Sequence, residues 1–298
     1  MPSTRDIRRR IKSVKNTSQI TKAMQLVAAA KMKKAQDVAT SGRPYADLLN
    51  QVLVSLKERA EESSHPFFEP GRAGTKTLVV VIATDKGLCG ALNTNLLKKV
   101  AQSLPDADVE FVTVGRKASQ GLSRLKRNLV ADFPIKDPAK FVEMRTVGRF
   151  VQERFLTGEY KEVLVAFNNF VNTVTQVPTI EQLLPVNPVR LGGKKAFEGM
   201  GAALEVAETK APEVEYAFEP NAAVVFERTL PQYVNLALYQ MLLEARASEH
   251  SSRMVAMKNA TDNAKQMIKD LSLEYNKLRQ ASITNELLEI TTAKMALE

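Results

Sequence analysis

Residues 84–93 read Thr-Asp-Lys-Gly-Leu-Cys-Gly-Ala-Leu-Asn and follow the apolar run Leu78-Val79-Val80-Val81-Ile82-Ala83. A glycine-containing turn between a strand and a helix presents backbone N–H groups at a helix N-terminus, where α/β domains hold phosphates. Neither phosphate-binding pattern occurs, however: there is no Gly-x-Gly-x-x-Gly and no Gly-x-x-x-x-Gly-Lys-Ser/Thr anywhere in the chain. The turn is therefore expected to be structural. Cys89, inside it, is the only cysteine. An internal disulfide is impossible, a cysteine-rich metal site is excluded, and a buried small hydrophobe is expected in preference to a nucleophile, because no histidine is near in sequence.

The remaining chemistry-bearing residues are sparse. His65 and His250 lie far apart, and neither has a partner at ligand spacing; exposed or capping roles are expected, and no metal. Two histidines do not support a Ser/His/Asp arrangement. Glu286 and Glu289 share a helix face, either as a solvated surface or as a contact for a basic loop of a partner. No catalytic residue, cofactor or metal is expected.

Charge is the strongest local signal. The net charge is +9, and residues 1–34 hold ten Lys/Arg against one acid, Asp6, so the whole excess sits there. Such a run implies an acidic protein surface, a nucleic acid or a membrane face as partner. Aromatic interleaving and a nucleic-acid recognition fold are both missing. No apolar stretch reaches the length of a membrane span, and the residues after the N-terminal charges do not form a signal peptide. The arginines continue into a helical pattern and are expected to belong to the mature protein.

The elements that would carry these residues divide the chain. Ser3 to Ser41 contain no Gly or Pro and predict a helix of ~58 Å. Its seam, Ile7, Ile11, Val14, Ser18, Thr21, Gln25, Ala28, Met32 and Ala35, is thin and partly polar. Gly42 and Pro44 are expected to interrupt it, with the helix resuming at 45–60, and residues 61–75 read as a linker. Residues 76–193 alternate strand and helix at βαβ spacing: strands at 78–83, 109–114, 129–133 and 163–167, helices near 91–103, 116–126 and 139–157, and an edge strand at 171–177. Residues 194–218 are expected to form an exposed insertion loop. The C-terminal helix is placed within 219–298, because Gln232 to Glu298 again lack Gly and Pro. Within it Met254, Met257, Thr261, Ala264, Ile268, Leu271, Tyr275 and Leu278 recur at alternating steps of three and four, the spacing of a left-handed coiled coil. A parallel homodimer would satisfy that seam. An antiparallel pairing with the first helix satisfies both ends of one chain and is expected, so the fold class is a Rossmann-like α/β domain inserted between two long N- and C-terminal helices.

Several segments are similar to the F-type ATP synthase gamma subunit family. They are Arg5–Ile11, Asn16–Met24, Val27–Met32, Asp85–Gly90, Gln176–Ile180, Ala247–Glu249, Arg253–Asn263 and Tyr275–Leu287, in order along nearly the whole chain. The family usually ends in a tip containing Gly-Ala; here Glu289-Ile290 leads into Thr291-Thr292-Ala293-Lys294-Met295-Ala296-Leu297-Glu298, and residues 194–215 match no family pattern. One cysteine cannot supply the dithiol of chloroplast members, so the resemblance points to a bacterial form. It implies a non-catalytic rotor shaft inside a ring of alpha and beta subunits, touching the epsilon subunit and the c-subunit ring, coupling proton flow to ATP turnover. The implied place is peripheral, on the cytoplasmic face of the bacterial plasma membrane, without insertion and without nucleic acid. By motif match Arg279 and Gln280 are expected to meet a beta-subunit loop, with Thr284 and Glu289 nearby. Met24, Lys31 and Arg253 are expected at a mobile acidic segment of beta, and Tyr216 and Glu219 at the c ring. Two rival readings remain at this level: a basic coiled-coil nucleic-acid binder, and a nucleotide-binding α/β enzyme with helical arms.

Overall fold

The computed structural model describes residues 3–59, 66–67, 74–104, 108–186, 218–219 and 221–297. The elements run α1 (Thr4–Arg59), β1 (Lys76–Ile82), α2 (Leu92–Ser103), β2 (Val109–Val114), α3 (Arg116–Arg124), β3 (Asn128–Phe133), α4 (Phe141–Leu156), β4 (Tyr160–Phe170), β5 (Gln176–Leu184) and α5 (Ala222–Leu297). The expected insertion loop and Tyr216 lie outside the described residues. The chain divides into two compact units, one of residues 1–28 with 253–298 and one of residues 29–252.

In the larger unit the strand order is β3-β2-β1-β4-β5. The first four strands are parallel and β5 returns antiparallel to β4. The crossover from β2 and β3 back across β1 to β4 makes the order of a doubly wound sheet, with the reversal between β1 and β4. Period-two alternation divides the β1 side chains between two cores. Leu78, Val80 and Ile82 enter a cluster with α4, with Leu49 and Leu53 of α1, and with Leu230, Val234, Leu238 and Leu242 of α5. Val79, Val81 and Ala83 enter a second cluster with Leu96 and Val100 of α2 and Ala118 and Leu122 of α3. Each fully buried Leu or Val contributes roughly 1.5–3 kcal/mol, so the central strand is held from both faces. Near the start of the sheet, Lys76 Nζ lies 2.8 Å from Glu110 Oε1, and the Tyr160 hydroxyl also donates to Glu110. The lysine and the tyrosine together hold that carboxyl below its usual range, against the effect of burial.

Two sequence expectations need correction. Pro44 does not break the first helix; α1 continues from Thr4 to Arg59 with Pro44 inside. A proline deletes one ladder bond, and the buried Leu49 and Leu53 beyond it keep the next turns packed. Val171–Val177 is not a strand. Val171–Thr175 forms the turn, in which Asn172 Oδ1 accepts from the Val174 and Thr175 N–H groups at 2.9 and 2.7 Å, and the edge strand is Gln176–Leu184. α5 begins at Ala222, inside the expected 219–298, and runs through Pro231. Gln152 of α4 ties that turn down by donating to Pro231 O at 3.1 Å and to Asn235 Oδ1 at 3.0 Å. The same approach explains Gly148 on α4, where a Cβ would collide with the Asn235 side chain.

In the smaller unit the helices are antiparallel. The Thr21 and Thr261 hydroxyls meet at 2.7 Å, and the Arg8 guanidinium lies over the Tyr275 ring at 6.0 Å from its centre; as one chain advances the other recedes. Ile7, Thr21 and Ala28 are buried on one helix, and Met257, Thr261, Ala264 and Leu271 on the other. Met257, Thr261 and Ala264 step by four and three and the other separations are multiples of seven, the repeat of a left-handed pair. The seam is narrow and has a hydroxyl pair at its centre. Replacing Thr21 alone by valine strands the Thr261 oxygen, apart from its 2.8 Å bond to Met257 O. That variant should lose about 1–2 kcal/mol in urea unfolding, while Thr21→Val with Thr261→Val should return close to wild type. A double variant no more stable than the single would show that the two hydroxyls are not coupled.

Candidate functional site: a filled crevice and a bare helix end

In a doubly wound sheet, ligands enter the crevice beyond the carboxyl ends of the strands at the reversal point, here β1 and β4. The chain places much of its own bonding there. Asn93 reaches back into the turn after β1: its Oδ1 accepts from Thr84 N–H at 3.3 Å, and its Nδ2 donates to Thr84 Oγ1 at 2.9 Å and to Cys89 Sγ at 3.3 Å. Cys89 is buried, as expected. Gly115, at φ 98°, lets the chain after β2 pass against Ala83 O, where a side chain would collide.

Helix α5 then bonds to the turns at the crevice. Ser248 donates to Asn168 O at 2.9 Å, Ser251 to Thr173 O at 2.7 Å, and Ser252 to Cys89 O at 2.7 Å. Three hydroxyls on one helix thereby satisfy carbonyls in the turns that follow β1 and β4. Beside them Arg246 Nη1 bonds Glu249 Oε2 at 2.9 Å, and Nη2 reaches Ile135 O at 2.7 Å and Asp85 Oδ2 at 3.4 Å. Asp137 Oδ2 takes Lys31 Nζ at 2.6 Å and His250 Nε2 at 3.4 Å. Burial works against the charge of Arg246, but Glu249, Asp85 and Asp137 outweigh it and hold the guanidinium above its ordinary range. The bond from His250, with that from Lys31, holds Asp137 well below the usual carboxylate range. Every residue from Leu242 to Ser251 is buried, so this stretch of α5 is enclosed on all sides. The geometry seats a helix there, and beside it an open cleft of about 290 Å³ remains between the start of α2, the end of β4, the turn after it and Ser252.

His250 thus corrects the expectation of an exposed or capping role: it is 3% exposed and faces Asp137. The Arg246 group was not found by sequence reasoning, because spacing alone does not separate buried from solvated polar residues on a helix. The only available signal was the Ala247–Glu249 family match. Among the described residues no group of three or more His, Cys, Asp or Glu could hold a metal.

The residues expected to meet partners are spread along both helices. Arg279, Gln280, Thr284 and Glu289 all lie on the end of α5, where every position from Arg279 to Met295 is exposed. The stretch from Arg279 to Met295 is a bare helix of about 25 Å. Ile283, Leu287 and Ile290 line one of its faces at steps of four and three, 49, 58 and 65% exposed. Thr284, Thr291 and Thr292 bond back to Gln280 O, Leu287 O and Leu288 O at 2.9, 3.0 and 2.8 Å, which keeps these side chains close to their own helix. Met24 and Arg253 are half-buried in the smaller unit. Lys31 belongs to the larger unit and is engaged by Asp137, with about half of its side chain still open to solvent. Glu219 is exposed. The sequence-derived set is therefore not one cluster. Its largest group is the bare end of α5.

Residues 3–297 match the family described as ATP synthase. The chain is 48% identical to the ATP synthase gamma chain of Opitutus terrae, over 99% of both chains. It is 47% identical to that of Akkermansia muciniphila over the whole of both. In three dimensions it matches a chain of the central stalk and c-ring structure of Tetrahymena thermophila mitochondrial ATP synthase, with a TM-score of 0.58 and 27% identity, covering 81% of this chain and 99% of that one. A chain of the Euglena gracilis mitochondrial ATP synthase rotor shares the fold, with a TM-score of 0.64 at 20% identity, covering 94% of this chain and 98% of that one. With end-to-end identity approaching one half and the antiparallel helix pair and doubly wound domain in place, the chain belongs to the ATP synthase gamma chain family.

Proposed function

We infer that the protein is the central-stalk rotor of an ATP synthase: a non-catalytic shaft that turns inside a ring of alpha and beta subunits and carries rotation between that ring and a c-subunit ring. The observation that carries this reading is the full-length identity to gamma chains. The geometry is consistent with it. At the crevice where an α/β domain would do chemistry, α5 binds the turns after β1 and β4, and the bare apolar end of α5 is a surface made to be covered.

The energetics favour a stiff element. Switching a nucleotide site between 1:99 and 99:1 open against closed requires about 5.5 kcal/mol of differential contact. One charge crossing 100 mV supplies about 2.3 kcal/mol, so several proton steps must be summed through the shaft for each ATP. A narrow, partly polar seam makes the pair asymmetric without making it adhesive. Arg279 and Gln280, with Thr284 and Glu289, are the proposed contacts to a beta-subunit loop. Met24, Lys31 and Arg253 are assigned to its acidic segment, where Lys31 would exchange Asp137 for a partner carboxylate, and Tyr216 and Glu219 to the c ring. The epsilon subunit is the further partner. No helix among the described residues is long and apolar enough to cross a membrane; a peripheral place on the cytoplasmic face of a bacterial plasma membrane follows from the rotor role.

The test is co-expression with alpha and beta subunits, followed by weighing the purified complex. One copy of this chain with three of each partner is expected. A chain that purifies alone, or as its own dimer, would remove the reading.

A further inference from the structure

We propose that Arg246 is a positioning residue for rotation, pinning α5 at one angle on the α/β domain so that twist passes between them without play. The proposal rests on the rotor reading. Apolar contacts of α5 with the sheet resist separation, but they are non-directional and tolerate small rotations of a helix about its own axis. Hydrogen bonds to a charged, planar guanidinium are short and directional.

Arg246 makes two short bonds, to Ile135 O in the loop after β3 at 2.7 Å and to Glu249 one turn along α5 at 2.9 Å, and a longer one of 3.4 Å to Asp85 in the turn after β1. Rotating α5 about its own axis carries the guanidinium along and disturbs its bonds to both loops. Asp137, from that same β3–α4 loop, is fixed in turn by Lys31 of α1 and His250 of α5. The cluster therefore joins α1, α5 and two loops in one network. Its cations are Arg246 and Lys31, its carboxylates Asp85, Asp137 and Glu249, and His250 completes it; Glu244 is also buried on the same stretch of α5. Apolar residues of equal volume commonly stabilise a fold as well as a buried ion cluster does. Fixing an angle is what an apolar substitute could not do.

The experiment uses the assembled complex with its alpha–beta ring immobilised and a bead attached through Lys98→Cys, an exposed site on α2. The readout is the variance of bead angle during the pause before ATP binding. Arg246→Met should at least double that variance while ATP hydrolysis stays within two-fold of wild type. Arg246→Lys should recover part of the stiffness, because one ammonium cannot reach both loops. Asp85→Asn, at a side chain that is 32% exposed, is the milder variant should Arg246→Met fail to fold, and should widen the spread by a smaller factor. In Arg246→Met with Glu249→Gln the charges are again matched, so the unfolding temperature should recover while the spread stays wide. Wild-type variance in whichever single variants fold overturns the proposal, as does a spread that narrows in step with the recovered unfolding temperature. A wild-type bead that never rotates removes the rotor reading itself, and the joint with it.

Discussion

Leu242→Ala should lower the unfolding free energy by about 3 kcal/mol, within the 2–5 kcal/mol range of buried leucine truncations. Leu242 is fully buried in the cluster that joins the sheet, α4 and α5, so removing its side chain loses transfer free energy and leaves a cavity. The matched control is Leu287→Ala, on the same helix. Leu287 is 58% exposed, and truncating it should change stability by less than about 0.5 kcal/mol. Urea unfolding of the isolated chain measures both. Equal losses at the two positions would mean that the end of α5 is packed in solution, and the bare-helix description would fall. The contrast also gives the two ends of the helix separate duties. Up to about residue 252 its apolar side chains build the domain, and beyond Leu278 they are left for something else.

The second large effect concerns coupling. Arg279→Ala with Gln280→Ala should reduce coupled ATP turnover by roughly 10- to 100-fold, because loss of hydrogen bonds to a charged group costs about 1.5–3 kcal/mol and each 1.4 kcal/mol is tenfold in rate. Both positions are exposed on α5, so the unfolding curve of the isolated chain should not move. ATP synthesis and ATP-driven proton pumping in membrane vesicles give the measurement. Wild-type coupling in the double variant refutes the assignment of these residues to a beta-subunit loop.

The legible parts of the sequence were those in which pattern and packing agree. Val109–Val114 was placed without error, since an apolar run bounded by turn residues has one compact solution. The shaft seam was readable because Met257, Thr261 and Ala264 keep their steps of four and three even where the residues are small. Pro44 misled, because a local breaker was weighed without the buried leucines that hold the next turns. Val171–Val177 misled, because alternation alone cannot separate a strand from a turn built on an Asn side chain. The largest gap was Arg246, Ser248, Glu249 and Ser251. Polar residues on a helix imply solvent unless their partners are known, and these partners, Asp85, Ile135, Asn168 and Thr173, are 78 or more positions away in the chain. The partner-facing residues on α5 could be named only through family likeness, because an exposed helix position carries no signal of what will cover it.

The seam through Thr21 and Thr261 joins residues 240 positions apart in the chain. While the chain is being made, the amino-terminal helix has no mate, whereas strands β1–β5 and the helices between them are complete by residue 184. Sequence-distant contacts of this kind form slowly and late. A chain cut before about residue 253 therefore has the strands and crossovers but nothing for its first helix to pair with, and the two parts of the fold report on different lengths of synthesis.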